Sequence, residues 1–452
     1  MSPTAQLGGR EGPQYAARRR LHPVVGAGAL AGITALMLLV AMRLGPEGAW
    51  SADIYSWLTV ADMLRRGANP YNATTLLTWP PFWMQCIYAM DHLGSLVHLR
   101  LVRAIQLSLA AVDCMIVAAV YLMLRVHWKQ GAAAWLVPLL VLALNPTAIL
   151  LIVIHGNFDV LVGAAVLAAV FNLARWHRHR TADDWLWACL LIGLGGLIKT
   201  VPLILAPLLL TRWRGLTWSQ RVLGAVLVAG PIALGLSIIY VLGPAHVKAN
   251  VFHYRSQWGI FGITGLIEMW QLPITIQAYT RAFDLLLLVV MVGTAALVGR
   301  RRLLSERSLV TIAAALLMMI PVIGPGWATQ YVWWWLPLLP IILSLWGGAV
   351  RAAVVVMLAV LAGSYALAYS LYSVYGAVLL HVQHPAAWDQ FDQLLGTHAG
   401  RTTVMLPLFG AYLLVLATLS IAVADEATRP VGTDPPNGVG AADPSYLVEG
   451  AW

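Results

Sequence analysis

The chain of 452 residues is 60% hydrophobic and only 10% charged, and it contains 20 tryptophans. Because soluble proteins average about 25% charged residues, this composition excludes a soluble globular protein and indicates a polytopic membrane protein. The formal net charge of +9 does not point to nucleic acid, because the arginines cluster at the ends of apolar runs, where they orient a membrane protein. We therefore expect no nucleic-acid partner.

The sequence predicts a membrane domain between two polar tails. Residues 1–21 form a basic tail with three consecutive arginines from Arg18, which we place in the cytoplasm. The apolar run at residues 24–42 is too long for the core of a signal peptide and predicts a retained first span. The membrane domain is predicted over residues 22–424. Residues 425–452 are rich in Pro, Gly and Asp, and we expect a disordered cytoplasmic tail.

Apolar runs predict an all-α bundle of about twelve membrane spans. The runs after the first lie near residues 98–124, 132–154, 158–174, 185–198, 201–211, 219–242, 281–299, 309–323, 329–346, 352–374 and 403–424. The segment Pro80–Gly94 contains Gln85 and Asp91, and we interpret it as interfacial or re-entrant. The basic clusters at residues 125–129, 175–180, 212–221 and 300–307 then share the side of the N-terminal arginines, as the positive-inside rule requires.

Four polar groups of loops fall together on the opposite, outer face in this topology. They are the first loop at about residues 44–97, the turn Ile154–Asp159, the Lys199 turn with the loop His253–Gly259, and the stretch Gly324–Tyr331 with the loop His381–Arg401. Polar groups at membrane depth are costly unless they face water or a partner. Their convergence predicts a shared cavity.

The first loop contains an amphipathic stretch. Trp57, Val60, Ala61 and Leu64 recur at helical spacing on one face, which predicts a helix that lies in the membrane interface. Gly67, Asn69 and Pro70 are expected to end it. Asp53, just before this pattern, fits either a helix N-cap or a catalytic carboxylate at the membrane edge.

The loop motif resembles a known family. The pattern D-x-Y, amphipathic helix, G-x-N-P-Y and W-P-P is similar to the first extracytoplasmic loop of the GT-C polyprenol-phosphate-dependent glycosyltransferases, and in particular to glycosyltransferase family 87, a bacterial mannosyltransferase-like family. The resemblance implies a helical membrane bundle of GT-C type with Asp53 as the catalytic base. It also implies that Tyr71, in the same loop, binds the sugar or the acceptor.

The turn HGNFD at residues 155–159 resembles an HGQxD-type turn of such enzymes, with Asn157 where glutamine is more usual. The resemblance implies that His155, Asn157 and Asp159 bind acceptor hydroxyls or hold one another. Asn157 or Asp159 could also cap a helix. A metal site formed by His155, Asp159 and Asp53 has no supporting DxD or HxxxH spacing, and we predict neither a metal ion nor another cofactor.

Cations at interface depth are candidates for binding the donor phosphate. Lys199 in GGLIKTVP lies at the end of an apolar run, and Arg103 and Arg255 are further candidates. The alternative for Lys199 is snorkelling to the interface, and the alternative for both arginines is a role as interfacial anchors.

The stretch GPGWATQYVWWW at residues 324–335 offers Gln330 and Tyr331 as sugar-binding or acceptor-binding groups. The tryptophans Trp333–Trp335 are typical of an aromatic belt at the membrane surface. Aromatic faces also suit sugar rings and isoprenes, so the two interpretations are compatible.

These observations predict a plasma-membrane hexosyltransferase whose active site faces outward. It would move a hexose, expected to be mannose, from a polyprenol-phosphate donor to a lipid or glycan acceptor, with inversion and without a metal ion. Two alternatives remain open: a lipid-linked-sugar transporter, which would show internal repeats, and a glycan polymerase or ligase that uses a polyprenol-diphosphate donor.

Overall fold

The computed structural model describes residues 22–44, 51–73, 79–242, 262–300, 305–326, 328–380, 403 and 406–428. Arg255 and the loops at 253–259 and 381–401 lie outside these residues. Within the described ranges the chain is helical and contains no β-strand. The prediction of an all-α polytopic bundle is therefore confirmed.

The longer helices are numbered in chain order. They are α1 (Pro23–Leu44), α2 (Ala52–Arg65), α3 (Pro70–Ala73), α4 (Pro81–Leu96), α5 (Leu101–Leu122), α6 (Ala133–Pro138), α7 (Pro146–Leu150), α8 (Asp159–His179), α9 (Ala182–Ile198), α10 (Trp218–Leu242), α11 (Gly262–Met269), α12 (Ile276–Arg300), α13 (Glu306–Ile323), α14 (Leu339–Leu345), α15 (Gly348–Leu380) and α16 (Leu406–Thr428). π-Helical turns extend α5, α6 and α7 to His127, Ala143 and His155.

The number of spans is smaller than the sequence predicts. In the described part of the chain eight helices are long and apolar enough to cross a membrane: α1, α5, α8, α10, α12, α13, α15 and α16. The extended α6 and α7, bent by 44° at a short break, would make a ninth. The predicted total of about twelve is thus not confirmed.

Proline explains one of the shorter segments. The apolar run that begins at residue 201 forms a 3-10 helix of ten residues, Val201–Leu210, with Pro202 and Pro207 inside it. Proline lacks the amide hydrogen and crowds the preceding turn, so it disfavours a continuous α-helix. Apolar composition alone therefore overestimates the number of regular spans.

Helix α2 is the amphipathic helix expected in the first loop. It buries Trp57, Val60 and Ala61, and the chain leaves it at Gly67, which has a φ of 70°. Its N-cap is Ser51, whose hydroxyl accepts the Ile54 amide at 3.1 Å. The interpretation of a helix cap at Asp53 is therefore wrong, because the residue two positions earlier performs that role.

An ion pair connects α2 to α4. The Arg65 guanidinium donates from Nε and Nη2 to the two oxygens of Asp91, at 2.7 and 2.6 Å. This hydrogen bond, the largest of the causes, raises the pKa of Arg65. Helix α4 itself has 16 residues and is not among the spans, which agrees with its interpretation as an interfacial segment.

The C-terminal end of α8 contacts a network of polar side chains centred on Glu306. The carboxylate accepts hydrogen bonds from Arg178 at 2.6 and 2.9 Å and from the Trp128 indole at 3.1 Å, and lies 2.9 Å from His127 Nε2. The ends of α5 and α8 and the start of α13 therefore meet here. We call this the basic end. Basic clusters that the sequence analysis placed on one side of the membrane are thus adjacent in space.

The α8 helix packs tightly on the 3-10 segment Thr329–Trp334. A Cβ atom at Gly163 of α8 would lie 2.4 Å from the Trp333 carbonyl oxygen. Trp333, Trp334 and Trp335 are all at most 1% exposed. They belong to the protein interior, so the prediction of an aromatic belt at the membrane surface is wrong for these residues.

We expect Gly163→Ala to destabilise the protein by about 1–3 kcal/mol, because the new methyl group overlaps a backbone atom that cannot easily move. Gly230→Ala in α10 is the matched control, since nothing lies within 4 Å of its added Cβ and alanine is favoured over glycine in a helix by about 0.5–1 kcal/mol. Thermal unfolding of the purified variants in detergent measures the difference. Equal midpoints would contradict the close approach.

Candidate active site

Asp53, the second residue of α2, is held by two side chains of the turn that precedes α8. His155 Nε2 lies 3.0 Å from Asp53 Oδ2, and the Asn157 side-chain amide donates to the same oxygen. Among the described residues the other oxygen, Oδ1, has no hydrogen-bond partner. The side chain is 29% exposed. The carboxylate is therefore fixed on one side and accessible on the other.

The backbone of the HGNFD turn explains why both donors reach Asp53. The π-helical turn Leu151–His155 ends at Gly156, which has a φ of 64° in the left-handed region. A Cβ there would also lie 2.7 Å from Ile54 Cδ1 of α2, so glycine allows the turn and α2 to touch. The Ser51 hydroxyl then donates to the His155 carbonyl at 2.7 Å.

Asn157 has two roles in this turn. Its Oδ1 accepts the Asp159 backbone amide at 2.8 Å, which satisfies one of the free amides at the start of α8. Its Nδ2 donates to Asp53. The Asn157 side chain therefore links the start of α8 to Asp53 through two bonds.

Asp159 and Lys199 form an ion pair next to this turn. The Lys199 ammonium lies 3.0 and 3.1 Å from the two carboxylate oxygens of Asp159. Asp159 is fully buried, and the Lys199 side chain is 23% exposed. The ammonium also lies 4.7 Å from the centroid of the Tyr331 ring and 5.1 Å from that of Trp334. Lys199 therefore does not snorkel; it points inward to an anion and aromatic faces.

The electrostatic environment keeps Asp53 ionised. Burial alone would raise its pKa, but the hydrogen bonds and charge of His155, the Asn157 bond and the Lys199 charge outweigh burial, and the pKa lies below its ordinary value. An ionised carboxylate has no proton to donate. His155 Nε2 must therefore carry the hydrogen of the 3.0 Å bond.

Arg103 reaches the site through a residue that the sequence analysis missed. Its Nη1 donates to Gln106 Oε1 at 3.0 Å, and the buried Gln106 amide donates to the Val153 carbonyl in the π-helical turn before His155. The sequence signal for Gln106 was a single side-chain amide in an apolar helix, one turn after Arg103. Arg103 thus supports the turn indirectly, and its guanidinium has no carboxylate within ion-pair distance in the described part of the chain.

The remaining predicted residues lie at the margin of the site. Tyr71 is buried and donates its hydroxyl to the Trp79 carbonyl at 3.0 Å; burial raises its pKa. Gln330 accepts the Thr329 hydroxyl at 3.3 Å, and its neighbour Tyr331 contributes the ring beside Lys199. Arg255 lies outside the described residues.

A cluster of aromatic rings lies under Asp53, and the sequence analysis did not single it out. Phe158 stacks on Trp83 at 4.9 Å between ring centroids and lies 6.0 Å from both Trp57 and Trp79. Lys199 Nζ is 5.7 Å from the Phe158 ring. One phenylalanine in the HGNFD turn therefore connects helix α2, helix α4 and the ion pair.

The site offers few side chains that could bind a metal ion. Asp53, His155 and Asp159 are neighbours, but within the ranges that the structure describes no group of three or more His, Cys, Asp or Glu side chains has the arrangement to hold a metal ion.

A family model for glycosyltransferase family 87 matches residues 77–325, which is more than half of the chain. The chain belongs to glycosyltransferase family 87. The resemblance seen in the sequence is thereby confirmed. The family match includes the HGNFD turn and Lys199, whereas Asp53, Tyr71, Gln330 and Tyr331 lie outside the matched residues.

Among solved structures, the family 87 chain is similar to a crystal structure of ArnT from Cupriavidus metallidurans bound to undecaprenyl phosphate. The sequence identity is 15%, the TM-score is 0.46, and the alignment covers 88% of this chain and 77% of that chain. No curated protein matches the sequence.

We expect His155→Ala to raise the pKa of Asp53, because the variant removes a hydrogen-bond donor that lowers it. In the wild type the folded-state pKa is below the unfolded value of about 3.9. The stability that this shift contributes is therefore present above that pH and is lost as the pH falls through the lowered pKa.

Infrared difference spectra between the wild type and Asp53→Asn, recorded against pH, isolate the carboxyl band of Asp53. The same difference in the His155→Ala background gives the shifted midpoint. A midpoint that does not move would show that the 3.0 Å contact carries no bond to the ionised carboxylate.

Proposed function

We propose that this glycosyltransferase transfers a hexose, mannose in our prediction, from a polyprenol-phosphate donor to a hydroxyl of a lipid or glycan acceptor, with inversion of the anomeric centre. The observation that carries the proposal is the asymmetry of Asp53. Two donors hold Oδ2, and the partly exposed side of the carboxylate faces away from them. This arrangement suits a general base that must accept one proton from an incoming hydroxyl.

In the proposed reaction the acceptor oxygen attacks the anomeric carbon while Asp53 Oδ1 takes the hydroxyl proton. The bond between the anomeric carbon and the phosphate oxygen breaks, and its electron pair leaves with the phosphate. Attack from the side opposite the leaving group inverts the anomeric centre. His155 and Asn157 keep the carboxylate oriented through Oδ2, and their bonds persist when Oδ1 is protonated.

The departing phosphate needs cations at the mouth of the site. Lys199 gives hydrogen bonds to Asp159 and has a third N–H and a partly exposed ammonium for the phosphate. Arg103 and Arg255 are the other candidates, and Arg103 has no carboxylate partner among the described residues. Phosphate is already a competent leaving group, so the scheme requires no metal ion.

We also propose that the site faces outward from the plasma membrane. Asp53 lies near the start of α8, and the Glu306 network lies at its end, about 30 Å away for a helix of 21 residues at 1.5 Å per residue. Because basic loops remain in the cytoplasm, the basic end is assigned to the cytoplasm and the Asp53 end to the outer face. The membrane domain would extend over residues 22–424.

The test of function is incubation of the purified protein with labelled polyprenol-phosphate mannose, or the glucose analogue, and membrane lipid acceptors, followed by product analysis. We expect Asp53→Asn to lose about 10²–10⁴-fold in transfer, because an amide cannot take the proton. Its carbonyl oxygen can still accept from His155 and Asn157, so folding should be preserved.

Asp62→Asn is the matched control, since Asp62 lies on the same helix and forms an exposed ion pair with Arg66. It should leave transfer unchanged. Full activity of Asp53→Asn would show that Asp53 is not the base. If the wild-type protein forms product with neither donor, the proposed substrate class is rejected.

The Lys199–Asp159 pair makes a separate prediction. Lys199→Gln alone should be destabilised by about 3–5 kcal/mol, because it leaves a buried carboxylate without its cation. The double variant Lys199→Gln, Asp159→Asn should recover most of this loss, since it removes both charges. Thermal unfolding of the single and double variants measures the coupling.

In the folded double variant we expect apparent donor affinity to fall about ten-fold or more, with acceptor affinity nearly unchanged, because a charge-assisted bond to phosphate contributes roughly 1.5–3 kcal/mol. An unaltered donor titration in the double variant would pass the phosphate role to Arg103 or Arg255.

A further inference from the structure

The arginines around the basic end differ in whether they have an acidic partner. Arg175 lies 3.2 Å from Asp184, Arg178 lies 2.6 Å from Glu306, and Arg307 lies 3.1 Å from Glu426. Arg180 and Arg212 have no carboxylate within ion-pair distance in the described ranges. The two guanidinium groups are nevertheless close enough to repel each other. Burial, the larger cause, and the charge of Arg180 both lower the pKa of Arg212.

Several buried polar atoms without partners surround Arg212. Its Nη2 lies 3.3 Å from His177 Nε2. Within the described part of the chain, Arg212 Nε, His177 Nδ1 and the Thr211 hydroxyl are buried and have no hydrogen-bond partner. Thr211 is only 3% exposed. Buried polar groups are nearly always paired, so these three unpaired groups, two in the loop at 211–212 and one in the last turn of α8, point to a ligand that supplies acceptors.

The backbone of this loop is also unusual. Arg212 has a φ of 53° and Arg180 a φ of 62°, the left-handed region that residues with a side chain seldom occupy. The Trp176 indole donates to the Thr211 carbonyl at 2.8 Å and ties the loop to α8. Strained backbone of this kind persists where the surrounding structure enforces it, often at binding sites.

We propose that Thr211, Arg212, His177 and Arg180 form a binding site for a phosphate group, at the opposite end of α8 from Asp53. Two guanidinium groups, a hydroxyl and an imidazole offer more donors than a single carboxylate can use, and a tetrahedral phosphate has the oxygens to accept them. The Arg212 Nη2 atom makes one long contact, to His177 Nε2 at 3.3 Å. The phosphate can come from an anionic phospholipid headgroup or from a free phosphate in solution.

The test is binding to the full-length protein, purified in neutral detergent and stripped of lipid. One arm adds phosphatidylglycerol or phosphatidylcholine and counts retained lipid by native mass spectrometry. The other arm titrates inorganic phosphate and follows the thermal unfolding midpoint. We expect wild-type protein to prefer phosphatidylglycerol or to be stabilised by inorganic phosphate, and the arm that responds identifies the source. Because the readout is binding, its outcome is independent of glycosyl transfer.

Three variants separate a built site from general attraction. We expect Arg212→Gln to weaken binding about ten-fold or more. Thr211→Val should weaken it about three-fold without changing net charge or side-chain shape, and it keeps the test available if Arg212→Gln does not fold. Arg214→Gln is the control, because it removes the same charge from a residue that is exposed on the same loop. This variant should change binding less than about two-fold.

Equal losses in Arg212→Gln and Arg214→Gln, with no effect of Thr211→Val, would show that only the overall positive field attracts the anion and would overturn the proposal. Absence of a response in both arms would overturn it as well.

Discussion

The buried ion pair between Asp159 and Lys199 is the interaction on which the arrangement of the site depends. A carboxylate removed completely from water is tolerated only with a cation and hydrogen bonds, and Asp159 obtains these from Lys199 and from its place at the positive N-terminus of α8. The pair fixes the end of α9 against the start of α8. It also brings a positive charge close enough to Asp53 to favour its ionised form.

The HGNFD turn connects this ion pair to Asp53. Its glycine permits contact with α2, its asparagine joins the first amide of α8 to Asp53, and its phenylalanine lies between the tryptophans and Lys199. These contacts fix the orientation of Asp53, which its proposed role as a general base requires. His155 is the last residue of the π-helical turn Leu151–His155 and the first residue of the HGNFD turn.

Much of this site was predictable, because its parts are local motifs. The amphipathic pattern of α2, the turn glycine and the position of Asp53 can each be read from a few neighbouring residues. Partners distant in sequence could not be read in this way: Lys199 was expected to bind the donor phosphate or to snorkel, and its partner Asp159 lies 40 residues earlier. Ser51 rather than Asp53 is the N-cap because the helix begins one residue before Asp53. The boundaries of helices and strands are the least predictable feature of a sequence. The tryptophans at 333–335 match a surface belt in composition, and only the packing of α8 shows that they are interior.

The attachment of α2 to the rest of the bundle combines one ion pair with aromatic packing. The Arg65–Asp91 pair is largely exposed on its arginine side, and such pairs contribute about 1 kcal/mol or less and weaken in salt. The fully buried Trp57, which makes an edge-on contact with Trp83 and a tilted contact with Phe158, contributes about 1.5–3 kcal/mol or more. Displacement of α2 would therefore be governed by aromatic surface rather than by charge. Since apolar burial weakens on cooling, this attachment should loosen in the cold and should respond little to ionic strength.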